Sequence, residues 1–108
     1  MIAAFVDDLL FRSKIRAVAS HTGAAVSFLR DAADPALADA SMAIIDLDGS
    51  GAIATVSSLR GSWPALPLVG FVSHVNVDRI REARAAGAID VMARSAFVTA
   101  LPELLGSA

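Results

Sequence analysis

The 108-residue sequence contains no cysteine, which excludes disulfide bonds and thiol chemistry and favours a cytoplasmic location. No apolar run approaches the roughly 20 residues that a membrane span requires, although the mean hydropathy is high at +0.62. There is no basic excess, and a net charge of -2 gives no electrostatic basis for binding nucleic acid. A glycine-rich phosphate loop is also absent, which argues against a nucleotide-dependent enzyme.

Short apolar segments alternate along the chain with segments of helical periodicity. The predicted strands cover Ile2–Val6, Ala25–Leu29, Ser41–Asp46, Leu66–Ser73 and Ala88–Ala93. The predicted helices cover Leu10–His21, a turn or two after Asp34-Pro35, Ala52–Arg60, Asn76–Ala86 and Phe97–Leu105. Strands alternating with helices favour right-handed βαβ units around a parallel sheet. We therefore predict one α/β domain over residues 1–108, a flavodoxin-like doubly wound (βα)5 domain with a five-stranded parallel sheet in the order 2-1-3-4-5.

Polar side chains follow four of the predicted strands: Asp7 and Asp8, Asp46, Ser73, and Arg94. In the order 2-1-3-4-5, strands one and three are neighbours at the topological switch point, where ligands bind beyond the carboxyl ends of the strands. The three carboxylates are therefore predicted to form an acidic pocket suited to a hard cation such as Mg²⁺. Ser73 and Arg94 would add a hydroxyl and a fixed positive charge, which completes a set of groups suited to phosphoryl transfer.

Each of these residues also has a simpler interpretation. Asp7 and Asp8 are also typical of solvated carboxylates at a strand end or of a cap on the following helix. Ser73 is also typical of a turn residue, and Arg94 of a surface or ion-pair arginine. The coincidence of Asp46 with the acidic pair at the switch point favours the functional interpretation.

The whole chain resembles the receiver domain of two-component response regulators. The resemblance rests on Asp7-Asp8 after strand one, Ile-Ile-Asp46-Leu ending strand three, Ser73 ending strand four, and Ala85–Asp90 leading into strand five. It implies that Asp46 is the phospho-accepting aspartate and that Ser73 supplies a hydroxyl to the phosphoryl group. It also implies that Asp8, with Asp7 nearby, holds Mg²⁺ jointly with Asp46 and the backbone carbonyl of Asp48.

The sequence departs from the receiver pattern at the end of strand five. Receivers usually have lysine followed by a cis-proline there, whereas this chain has Arg94-Ser95. An arginine presents a planar fork that pairs with carboxylates, so Arg94 is a candidate for a permanent bridge to Asp46. The aromatic residue usual in strand five of receivers is replaced by Val91.

The first functional hypothesis is a receiver-like signalling domain without an output domain, which is not itself an enzyme. By the resemblance, it accepts a phosphoryl group on Asp46 from a histidine kinase or phosphotransfer protein, and acts through an output partner. A homodimer would use the face formed by the fourth predicted helix, strand five and the fifth predicted helix. The alternative is a pseudo-receiver, an interaction module that needs no phosphorylation. A third hypothesis is a small hydrolase that uses the same carboxylates.

Overall fold

Five parallel strands form the centre of the computed structural model, which describes residues 1–73, 76–87 and 89–106. The strands are β1 (Ile2–Phe5), β2 (Val26–Phe28), β3 (Met42–Asp46), β4 (Leu68–Val72) and β5 (Asp90–Ala93). Over the same residues, the α-helices are α1 (Leu9–Thr22), α2 (Ala52–Ser62), α3 (Val77–Ala86) and α4 (Arg94–Gly106). None of the helices in these described ranges is long and apolar enough to cross a membrane.

The strand order is β2-β1-β3-β4-β5, which confirms the predicted flavodoxin-like order. All the neighbouring strands pair in parallel, and Phe5 of β1 lies beside Ile45 of β3. Asp46 lies beside Phe71 of β4. The carboxyl ends of β1, β3 and β4 therefore meet at one edge of the sheet, with the switch point between β1 and β3.

Helices cover both faces of the sheet, which explains why β3 is a continuous apolar run ending in an aspartate. Its side chains alternate between the two faces, because successive residues of a strand point in opposite directions. Ile44 packs with Phe71 in a cluster that includes α1 and α4. Ile45 packs with Val72 in a second cluster that includes α2 and α3. All five residues of β3 are consequently buried.

Two predicted helices differ from the observed ones. The short second helix is a 3-10 helix at Pro35–Asp39, begun as expected by Asp34, whose Oδ1 accepts a hydrogen bond from the Ala36 N–H at 2.9 Å. The last helix begins at Arg94 rather than Phe97, directly after Ala93 of β5. The apolar spacing indicates a start at Phe97, but the exposed Ser95 and Ala96 before it are helical as well. Residue 88 of the predicted fifth strand lies outside the described residues.

Candidate functional site

Asp46 is the last residue of β3 and is buried, with 8% of its surface exposed. Its Oδ1 accepts a hydrogen bond from the Asp48 backbone N–H at 3.1 Å. Its Oδ2 lies 3.5 Å from Nη2 of Arg94. The central carboxylate of the site is thus held on one side by its own loop and on the other by a guanidinium.

Several effects of opposite sign act on the pKa of Asp46, and their net result is a raised pKa. The largest is burial, because removing a carboxylate from water disfavours its ionised form. The hydrogen bond from Asp48 and the positive charge of Arg94 lower the pKa. The negative charges of Asp48 and Asp8 raise it, so the acidic groups at this edge act on Asp46 electrostatically.

Arg94, at the first position of α4, makes two kinds of contact, ion pairs with carboxylates and cation–π contacts with phenylalanine rings. Besides its contact with Asp46, its Nε lies 3.8 Å from Oδ2 of Asp48. Its guanidinium carbon lies 4.7 Å from the ring centre of Phe11 and 5.8 Å from that of Phe71, distances suited to cation–π attraction. The side chain is 39% exposed, so solvent still reaches it. The structure therefore places Arg94 against Asp46, in the position that the bridging hypothesis requires.

The phenylalanines beneath Arg94 form a stack that joins three elements. Phe11 of α1 and Phe71 of β4 have ring centres 4.7 Å apart, and Phe71 and Phe97 of α4 have centres 4.5 Å apart. Phe71 and Phe97 are fully buried. Such pairs contribute about 0.5–1.5 kcal/mol each beyond the burial of their area. The stack supports the guanidinium from below and limits how far it can move toward the core.

The side chain of Asp48 makes contacts that the sequence did not predict. Its Oδ2 accepts a hydrogen bond from the Ser73 backbone N–H at 2.9 Å, and its Oδ1 accepts one from Nδ2 of Asn76 at 3.4 Å. Asn76 also caps α3 as predicted, because its Oδ1 accepts a hydrogen bond from the Arg79 N–H. Asp48 therefore connects the loop after β3 to the segment after β4. The role expected for its backbone carbonyl stays a prediction.

The acidic pair after β1 has separate partners. Oδ1 of Asp8 accepts hydrogen bonds from the N–H groups of Leu10 and Phe11, so Asp8 caps α1, as its simpler interpretation allows. The Asp7 side chain is 81% exposed, and its Oδ1 lies 3.8 Å from Nη2 of Arg12. The structure thus assigns a cap to Asp8 and an exposed ion pair to Asp7, while their part in metal binding stays a prediction.

A cleft of about 330 Å³ opens beside Asp46 at the switch point. Residues from β1, β3 and the start of α2 line it, together with charged side chains that include Asp7, Arg12 and Arg30. Asp46 therefore lies between this cleft and the side chains of Arg94 and Asp48.

The fit of a metal ion depends on the oxygen donors around Asp46. Within residues 1–73, 76–87 and 89–106, no three or more His, Cys, Asp or Glu side chains are grouped closely enough to hold one. Mg²⁺, however, commonly binds through one or two carboxylates and keeps several of its waters. Asp8 acts electrostatically on Asp46, and both carboxylates are hard oxygen donors. Carboxylate oxygens are donors that Mg²⁺ takes, so the residue types at Asp8 and Asp46 fit the ion, while its binding there stays a prediction.

Comparison with known proteins yields matches among solved structures only. No protein-family description and no curated sequence matches the chain. The receiver domain of NtrX from Brucella abortus is 21% identical, with a TM-score of 0.76 over 99% of this chain and 98% of that one. A response regulator from Hahella chejuensis is 22% identical, with a TM-score of 0.75 over 96% of this chain and 90% of that one.

Two further comparisons set the scope of this likeness. The chain spans 26% of the length of a longer NtrX chain, with a TM-score of 0.77 and 20% identity over 98% of its own residues. A protein from Burkholderia thailandensis, described as a pilus assembly protein (CpaE), is 19% identical, with a TM-score of 0.72 over 98% of this chain and 94% of that one. These likenesses establish that the chain has the fold of response-regulator receiver domains.

Proposed function

We propose that this receiver-fold chain is a signal-transduction domain that accepts a phosphoryl group on Asp46 from a phosphohistidine donor. The observation that carries the proposal is the position of Asp46, a buried carboxylate at the carboxyl end of β3 that borders the switch-point cleft. Ligands of open α/β sheets bind at this place. A buried carboxylate with an unusual pKa in such a cleft is typical of a functional group.

In the proposed step, a carboxylate oxygen of Asp46 attacks the phosphorus atom. The new O–P bond forms while the P–N bond of the phosphohistidine breaks, and the departing imidazole takes up a proton. The nucleophile has to be ionised, and burial opposes this. The Asp48 N–H and the Arg94 guanidinium stabilise the ionised form. Arg94 would also face the negative charge that gathers on the phosphoryl oxygens.

In this proposal, Asp8 and Asp46 hold Mg²⁺ with Asp7 nearby and the Asp48 carbonyl as a further oxygen donor. The bound ion would offset negative charge on the phosphoryl oxygens. The other groups of the proposed reaction come from the side chains of the protein. Asp46 supplies the nucleophile, Ser73 follows β4 at the same edge, and Arg94 supplies the fixed cation.

The test is intact-mass measurement after incubation with Mg²⁺ and acetyl phosphate. The native chain should gain the mass of one phosphoryl group, and chelation of Mg²⁺ should prevent the gain. Asp46→Asn should abolish it, because the amide cannot form the acyl phosphate. Asp90→Asn, at the opposite end of the sheet, is the matched control and should leave the gain unchanged. Absence of any Mg²⁺-dependent gain would refute the proposal.

A second candidate, a pseudo-receiver, is favoured by the contacts of Arg94 with Asp46, Asp48 and the phenylalanine rings. In that case the chain is an interaction module, and the guanidinium takes the place of the phosphoryl signal. Arg94→Lys separates the two candidates, because a lysine can neither bridge bidentately nor stack in the same way. A phosphoryl gain that occurs only in Arg94→Lys would support the pseudo-receiver.

The proposed partners are a histidine kinase or phosphotransfer protein as donor and a separate output protein in the cytoplasm. The chain itself would turn over no substrate. The proposed output face comprises α3, β5 and α4, which carries exposed Arg81, Arg84 and Val98. Sedimentation of the chain with and without acetyl phosphate tests whether a second copy uses this face. A concentration-dependent dimer that Arg84→Glu abolishes would support it.

A further inference from the structure

Arg12, the fourth residue of α1, holds its guanidinium group against the end of β1. Its Nε donates a hydrogen bond to the backbone carbonyl of Val6, and its Nη2 lies 3.8 Å from Oδ1 of Asp7. Its guanidinium carbon lies 5.1 Å from the ring centre of Phe28 in β2, a distance suited to cation–π attraction. The side chain is only 15% exposed. These contacts fix a positive charge directly beside the acidic pair that follows β1.

The carboxylate beside this charge is one of those proposed for Mg²⁺. Arg12, Asp7 and Asp46 all line the cleft at the switch point. The Asp7 side chain is 81% exposed, so an ion in solution can reach it. Guanidinium groups and Mg²⁺ both bind carboxylate oxygens. Because Arg12 offsets the charge of Asp7 and repels other cations, its presence should weaken the attraction of this pocket for Mg²⁺.

Asp8, the other member of the acidic pair, is held independently of Arg12. Its Oδ1 accepts hydrogen bonds from the N–H groups of Leu10 and Phe11 at 2.9 and 3.1 Å, so the start of α1 fixes its side chain. Loss of the Arg12 guanidinium would leave this cap in place. Removing Arg12 should therefore release Asp7 from its ion pair and take away one positive charge, without displacing Asp8.

Arg16 provides an internal comparison with Arg12, because both arginines lie on the same helix and on the same ring. The guanidinium carbon of Arg16 lies 4.7 Å from the ring centre of Phe28. Arg16 is exposed, whereas Arg12 is the arginine that reaches the carbonyl of Val6 and the carboxylate of Asp7. A change at Arg16 thus removes the same charge and the same kind of ring contact, and leaves the ion pair with Asp7 intact.

We propose that Arg12 is a built-in competitor of Mg²⁺, which lowers the affinity of the acidic pocket for the ion. When no ion is bound, the guanidinium offsets the charge of Asp7. When Mg²⁺ binds, it has to overcome both this ion pair and the repulsion of Arg12. The Mg²⁺ site belongs to the proposed function, on which this inference rests. The competition itself concerns metal binding alone and needs no phosphoryl transfer.

The first test is a titration of Mg²⁺ into ¹⁵N-labelled chains at constant ionic strength, in which the backbone amide signals of Asp7 and Asp8 are followed. Arg12→Gln should bind Mg²⁺ about three- to fivefold more tightly than the native chain, since a partly exposed ion pair is lost. Arg16→Gln is the matched control and should keep the native affinity. Native affinity in Arg12→Gln, an equal gain in Arg16→Gln, or no Mg²⁺ binding by any of the chains would overturn the proposal.

Arg12→Lys gives a second, milder variant, and circular dichroism checks that both variants fold. An ammonium group cannot reach the Val6 carbonyl and the Asp7 carboxylate together as a forked guanidinium does, but it keeps the charge. The Mg²⁺ affinity of Arg12→Lys should therefore lie between those of the native chain and Arg12→Gln. An affinity at or below the native one would contradict the competition.

Repeating Arg12→Gln in an Asp7→Asn background separates competition at Asp7 from a general effect of charge. In that background the ion pair is already absent, so most of the gain in Mg²⁺ affinity should disappear. An undiminished gain would show that Arg12 does not act through Asp7.

The last test connects the competition to the proposed reaction. The Mg²⁺ concentration that gives half of the maximal phosphoryl gain from acetyl phosphate should fall in Arg12→Gln by the same factor as in the titration. An unchanged half-maximal concentration, in chains that do gain mass, would overturn the proposal. If no chain gains mass, the proposed function fails, while the titration still decides the role of Arg12.

Discussion

Replacing Arg94 by methionine tests whether the guanidinium stabilises the fold through Asp46 or only through its packing. Methionine keeps the length of the side chain and removes its charge. The cation–π contact with Phe11 accounts for about 0.5–1 kcal/mol at a partly exposed site. Leaving a fully buried carboxylate unpaired costs about 3–5 kcal/mol. Because Arg94 is 39% exposed, we reduce that figure for solvent screening to about 1 kcal/mol. The free energy of unfolding should therefore fall by about 2 kcal/mol.

The pH dependence of this loss follows from the raised pKa of Asp46. Because the folded state holds the Asp46 proton to higher pH than the unfolded chain does, ionisation of Asp46 lowers stability as the pH rises through the folded pKa. Arg94 opposes this effect by lowering the pKa of Asp46. The electrostatic part of the Arg94→Met loss should therefore be larger at pH 7 than in acid, and should fall as the pH falls through the raised pKa of Asp46. It should disappear below about pH 3.9, where the carboxyl is protonated in both states.

The assay is a double-mutant cycle with urea unfolding, followed by the fluorescence of Trp63, which packs partly buried against the second core cluster. In the background Asp46→Asn with Asp48→Asn, Arg94→Met should lower the free energy of unfolding by only the cation–π part, about 0.5–1 kcal/mol. The coupling is then about 1 kcal/mol at pH 7 and vanishes in acid. Equal losses in both backgrounds, or a coupling that persists at acid pH, would refute the electrostatic role.

Three further substitutions and one control test other parts of the structure. Gly70→Ala should destabilise the chain to urea by about 1–3 kcal/mol, since its Cβ would lie 2.7 Å from Cδ1 of Leu47. Gly61→Ala in α2, with nothing within 4 Å, is the control and should stabilise by up to about 1 kcal/mol. Asp8→Ala should cost about 1 kcal/mol in thermal unfolding by circular dichroism, because the cap of α1 is lost. Phe71→Leu should cost about 1–3 kcal/mol in urea through its two ring pairs, and a loss below about 0.5 kcal/mol would contradict the stacking.

The strands and the place of Asp46 were predictable from patterns local to the sequence, and the strand order from the few topologies open to a parallel sheet. A continuous apolar run that ends in a carboxylate indicates a strand buried on both faces, and β3 has this environment. The alternation of such runs with helices leaves few topologies for a parallel sheet. The edge at which the polar groups gather then follows from strand direction alone.

The contacts of Asp48 were not predictable, because they join residues far apart in the sequence. Ser73 lies 25 positions after Asp48, and the loop conformation after β3 decides where the carboxylate points. That loop includes Gly51 with a φ of 72°, a conformation with no sequence signal beyond the glycine itself. The one available sign was the position of Asp48 two residues after Asp46, past the end of the strand. The aromatic stack was missed for the same reason, since Phe11, Phe71 and Phe97 come from three separate elements.

Because Arg94 lies on the phenylalanine stack, the kind of cation that suits position 94 depends on which residues fill this part of the core. A guanidinium lies flat on an aromatic ring, whereas an ammonium is a compact, strongly hydrated charge. Phe11 and Phe71 are thus a platform shaped for arginine, and the same two rings fill the interface between α1, β4 and α4. Substitution at position 94 and substitution in this half of the core are then not independent choices. A lysine introduced at position 94 would leave Phe11 and Phe71 without the planar group that now lies over them.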